Sequence, residues 1–75
     1  MNIQDFIIEF ANQFDETDVS EIQADTMFHE LDEWSSITAM SVIALSKVRY
    51  GKTITGKEIR DCDTVEDLFN LIAAK

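Results

Sequence analysis

An all-α fold is predicted for this chain of 75 residues, and three observations predict it. Proline is absent and glycine occurs only at positions 51 and 56, so helix-breaking residues are confined to one short region. Apolar residues recur with the spacing of a helix face in several segments. Hydroxyl residues that cap helices, Ser35, Thr55 and Thr64, stand immediately before three of those segments.

The first helix is expected over residues 3–14, where Ile3, Phe6, Ile7, Phe10 and Phe14 make an apolar stripe and Asp5 suits the positive end of the dipole. Residues 15–34 show no sustained period and read as a long polar loop, with a short turn near Val19–Gln23. Val19, Ile22, Met27, Phe28 and Leu31 are expected to pin that loop to the body of the protein. The second helix is expected over residues 36–50, with Ala39, Val42, Ile43 and Tyr50 on its core face and Gly51 ending it. A short third helix follows Thr55. The last helix follows the Thr64-Val65-Glu66-Asp67 capping box, with Val65, Leu68, Phe69 and Ile72 inward. Cys62, between them, is expected to be a small buried filler.

Composition excludes several functions. A chain of 75 residues makes one small domain with no room for an enclosed active site. One cysteine permits no internal disulfide, and one histidine, His29, permits neither a Ser-His triad nor a multi-histidine metal site. The acidic loop after the first helix lacks the glycine and terminal glutamate of an EF-hand, so no metal is expected. No apolar run approaches the roughly 18 residues of a membrane span, and no basic leader stands at the N-terminus; a cytoplasmic protein is expected. The expectation is therefore a non-catalytic protein.

Charge is unevenly distributed. The net charge is −9, and all six bases lie from Lys47 onward. Nucleic acid would be repelled by the base-free part, whereas a basic protein surface would be steered toward it. Glu30, Asp32 and Glu33 crowd the Ser35-Ser36 pair and are expected to meet such a partner. Ile37, Met40 and Ala44 share a second face of the same helix beside Ser36, and are expected to remain exposed as an apolar partner patch.

Ser35 is placed to cap the second helix, which leaves Ser36 on the first helical residue, its hydroxyl near the positive end of the dipole. That position suits an attached phosphate.

Phe28 and Leu31, then Ser35-Ser36-Ile37, Tyr50-Gly51, Ile54, Ile59 and Thr64-Val65-Glu66-Asp67-Leu68 occur in the order and at the spacing of an acyl carrier protein. The chain resembles that family over nearly all its length. The resemblance implies a small four-helix bundle in one domain, residues 1–75, with a long loop between helices 1 and 2 and a short third helix. It implies that a phosphopantetheinyl transferase attaches a 4′-phosphopantetheine arm to Ser36. The arm's thiol would carry acyl intermediates as thioesters to acyl-transferring or condensing enzymes with basic docking surfaces, in fatty-acid or specialised, polyketide-like biosynthesis. A monomer is expected.

Two departures qualify the pathway. Ser35 stands where the family usually has Asp, and the second helix has Thr38, Ser41, Ser46, Lys47 and Arg49 but no acid. A peptidyl or aminoacyl carrier, and an unmodified helical interaction module, remain alternative readings.

Overall fold

The computed structural model describes residues 2–75 and is all-helical there. Four α-helices follow in order: α1 (Ile3–Ala11), α2 (Ser36–Tyr50), α3 (Gly56–Asp61) and α4 (Val65–Ala74). Two 3-10 turns, Val19–Glu21 and Phe28–Glu30, lie in the long connection between α1 and α2.

Each helix starts at a side-chain cap. The Asn2 side chain accepts from the backbone of Gln4 and Asp5 at 2.8 and 3.2 Å. Thr64 and Asp67 close a capping box on α4, as the spacing predicted, and Thr55, the expected cap of α3, closes a further box with Glu58. Gly51 ends α2 with φ +66°, a backbone conformation that disfavours any residue with a Cβ.

The core is one cluster. Phe6 and Phe10 of α1, Val42 of α2, Ile59 of α3 and Leu68 and Ile72 of α4 are fully or almost fully buried in it. Phe28, from the second 3-10 turn, is sealed among them. Burying side chains of this size contributes roughly 1.5–3 kcal/mol each before conformational entropy is subtracted.

Some of the expectations need correction. The first helix ends at Ala11, not at 14. Two tighter turns, Gln13 N–H to Phe10 C=O at 3.0 Å and Phe14 N–H to Ala11 C=O at 3.1 Å, complete it and still deliver Phe14 to the core. Asn12 at that point favours termination over another turn. Val19 and Met27 do not anchor the loop: they are 42% and 48% exposed. Ile22, Phe28 and half-buried Leu31 do hold the loop as expected, joined by half-buried Trp34 and by backbone. The free N–H groups of Val65 and Glu66 at the start of α4 donate to the carbonyls of Thr26 and Ala24 at 3.0 and 2.9 Å.

The inward face of α2 is also displaced. Thr38, Val42, Leu45 and Ser46 are its buried residues, while Ala39, Ile43 and Tyr50 are only half-buried. Two of the inward residues are polar, and each has a carbonyl partner. Ser46 Oγ donates to Lys52 C=O at 2.8 Å and Thr38 Oγ1 to Glu33 C=O at 2.9 Å. The rotation turns Ala39 and Ile43 toward α3, where they line a cleft.

Candidate functional site

Ser36 is the first residue of α2 and is exposed. Its Oγ takes part in no hydrogen bond among the described residues, whereas Ser35 Oγ is engaged. Ser35 has extended backbone (φ −154°, ψ 177°) and accepts from the Thr38 N–H at 3.4 Å, a long bond for a cap. The sequence reading of the pair therefore holds in geometry: one hydroxyl caps and the other is free. The first turn of α2 contains no acid, so its positive end is not neutralised from within the helix.

Beside Ser36 opens a cleft of about 450 Å³ between α2 and α3. Ser36, Ala39, Met40 and Ile43 form one wall, at helical spacing. Gly56, Ile59 and Arg60 of α3 form the other, and His29 and Trp34 of the loop complete the lining. Trp34 is held by its neighbours: it stacks on Phe10 at 6.2 Å between ring centroids and meets Phe28 edge-on at 4.8 Å. His29 Nε2 lies 3.1 Å from Ile59 C=O and 3.0 Å from Cys62 C=O. It donates its proton to that pair, satisfying carbonyls at the end of α3 and fixing the short helix against the loop.

The sequence reading did not assign His29, Ala39, Ile43, Gly56, Ile59 or Arg60 to a site. The signal for the α2 wall was present, because residues 36, 39, 40 and 43 share a face. No spacing in the sequence showed that α3 would stand opposite.

The expected partner residues separate into two groups. Ile37 is 74% exposed, Met40 68% exposed, and Ala44 is exposed with them; Val48, at 81%, extends the stripe along α2. Met40 also forms the rim of the cleft. Glu30 and Asp32 are exposed on the loop leading to α2.

Glu33 is not a free docking charge. Its carboxylate accepts the Thr17 hydroxyl at 2.5 Å, the Glu16 N–H at 3.0 Å and the Asp15 N–H at 3.1 Å. It latches the start of the long loop to the segment that presents Ser36. The Thr17 hydroxyl does most to hold its carboxyl below the usual range; desolvation opposes it, and the backbone N–H groups of Glu16, Thr17 and Asp15 add to the lowering. Burial, helped by Asp67 and other nearby acids, pushes the Cys62 thiol up, which makes this buried side chain a poor nucleophile.

Among the described residues no group of His, Cys, Asp and Glu is placed to hold a metal ion, and no helix is long and apolar enough to cross a membrane. Compared with family models, with curated proteins and with solved structures, the chain gives no match in any of the three.

Proposed function

We propose that this protein is an acyl carrier, with Ser36 as the attachment point of a 4′-phosphopantetheine arm. The observation that carries the reading is the free, exposed Ser36 hydroxyl at the mouth of an apolar cleft. A hydroxyl already engaged as a cap would be a worse acceptor, and Ser35 is so engaged.

In attachment, the Ser36 hydroxyl loses its proton and forms a new P–O bond to the phosphate nearest the pantetheine of coenzyme A. The pyrophosphate P–O bond breaks, and 3′-phospho-AMP departs. The transferase supplies the base that takes the proton. This chain contributes the positive end of α2, which favours the phosphodiester anion that results. Once attached, the arm supplies a thiol that holds an acyl group as a thioester. Ala39, Ile43 and Ile59 exclude water from an acyl chain laid between α2 and α3. Trp34, packed on Phe28, and His29, bonded to the end of α3, hold the cleft's lining in place.

The carrier performs no chemistry on its cargo. It delivers a tethered substrate, which raises the local concentration at each partner enzyme. The exposed stripe of Ile37, Met40 and Ala44 is the docking contact, and Glu30 and Asp32, with the net charge of −9, steer basic partners to it. Fatty-acid or specialised biosynthesis in the cytoplasm, as a monomer, fits this role. A peptidyl carrier would share the arm and differ in its load. An unmodified interaction module would keep the stripe and leave Ser36 bare. Intact-mass analysis of the protein isolated from its native host tests the reading. An added phosphopantetheine, with or without a thioester load, is the expected result, and a wholly unmodified mass would favour the interaction module.

A further inference from the structure

Six basic residues face fifteen acidic ones in this chain, and most of the six are engaged. Arg49 pairs with Glu9 at 3.3 Å, Lys57 with Asp61 at 2.9 Å and Lys75 with Glu58 at 2.7 Å. Lys52 Nζ donates to the Lys75 carbonyl at 2.8 Å. Among the described residues, Lys47 and Arg60 take part in no ion pair, and only Arg60 lines the cleft beside Ser36.

The guanidinium of Arg60 lies back over Gly56: a Cβ built on that glycine would stand 3.5 Å from Nη1. No Asp or Glu lines the cleft, although acids make up fifteen of the 75 residues. The result is a mostly apolar recess with one permanent positive charge on its wall, in a protein whose overall field repels anions. A guanidinium presents paired N–H donors that match the oxygens of a phosphate or a carboxylate, and such pairs strengthen where water is partly excluded.

We propose that Arg60 binds an anionic group, a phosphate or a carboxylate, brought into the α2–α3 cleft on the arm of Ser36. This inference rests on the carrier reading. The anion has two sources: the phosphodiester that joins the arm to Ser36, or a carboxylate at the free end of the cargo. In the second case the carrier prefers dicarboxylic acyl groups to neutral ones of the same length.

The test uses the full chain and its Arg60→Gln and Arg60→Lys variants, each loaded in vitro by a phosphopantetheinyl transferase from coenzyme A, butyryl-coenzyme A or succinyl-coenzyme A. Arg60 is exposed, so both substitutions leave the core intact. If the phosphodiester is the partner, attaching the unloaded arm raises the melting temperature of the wild type more than that of Arg60→Gln. If a cargo carboxylate is the partner, the succinyl thioester hydrolyses about twofold to fivefold more slowly on the wild type than on Arg60→Gln, the range of a partly exposed ion pair, whereas the butyryl thioester hydrolyses equally fast on both. Arg60→Lys recovers part of the slower succinyl hydrolysis. Identical behaviour of wild type and Arg60→Gln in both comparisons overturns the inference and leaves the carrier reading standing. Failure to attach any arm, seen beforehand in the intact mass, overturns both.

Discussion

Thr38 Oγ1 donates to the backbone carbonyl of Glu33 at 2.9 Å, tying the first turn of α2 to the residue that holds the far end of the long loop. Glu33 thus works from both ends. Its carbonyl fixes α2, and its carboxylate gathers Asp15, Glu16 and Thr17. Ser36 is presented between these two attachments.

Replacing Thr38 by Val keeps the shape of a buried side chain and removes the hydroxyl. The Glu33 carbonyl then loses its protein partner, at a cost of about 1–2 kcal/mol. Chemical unfolding should show that loss, with faster hydrogen exchange in residues 34–38. Ser35→Ala should cost about 1 kcal/mol or less, because its capping bond is long at 3.4 Å.

Acid should weaken the Glu33 latch. Its carboxyl binds protons less readily in the folded protein than in the unfolded chain, because of the Thr17 hydroxyl and the Glu16 and Asp15 N–H groups. The latch therefore contributes fully above the unfolded carboxylate pKa of about 4.3, and its contribution is lost as pH falls through the lower folded value. Asp18, Glu58 and Asp67 shift in the same direction and act together with it. Melting temperatures from pH 7 to pH 3 should fall less steeply for Glu33→Gln than for the wild type, starting from a lower value at pH 7. Parallel curves would mean that Glu33 bears none of the acid sensitivity.

The helices and their caps were legible in the sequence because they depend on neighbours a few residues away. Thr55 as a cap, Thr64 with Asp67, and Gly51 at the end of α2 each follow from local chemistry. The free hydroxyl of Ser36 was legible for the same reason. The α3 wall of the cleft was not, since it depends on how a six-residue helix docks, and His29 bonding to carbonyls 30 and 33 residues away decides that. Ser46 was missed because a serine with a carbonyl partner is as much at home in a core as a small apolar residue, and its pattern looks polar. The role of Glu33 as a latch was not legible, because an acid beside other acids reads as solvated charge until its partners are seen.

Met40→Ala and Ile37→Ala should change stability by less than about 0.5 kcal/mol, as both side chains are largely exposed. They should slow arm attachment or acyl transfer to a partner. A loss of roughly 2–5 kcal/mol for Met40→Ala would place it in the core and remove the docking surface.

Charge reversal should divide the acidic loop. Glu30→Lys with Asp32→Lys should lower the association rate with a basic partner and reduce its salt dependence, leaving the melting temperature nearly unchanged. Glu33→Lys should instead destabilise the loop by removing the acceptor of three residues. Reversal of Asp5 and Glu9 on α1 should affect association much less than the Glu30/Asp32 pair. Equal effects from both pairs would show that only net charge matters.

The most direct measurement is the intact mass of the wild type, Ser36→Ala and Ser35→Ala after incubation with coenzyme A and a phosphopantetheinyl transferase. The carrier account predicts one added phosphopantetheine on the wild type and on Ser35→Ala, and none on a folded Ser36→Ala. Modification that persists in Ser36→Ala and disappears in Ser35→Ala, or a wild type that accepts no arm, would contradict it.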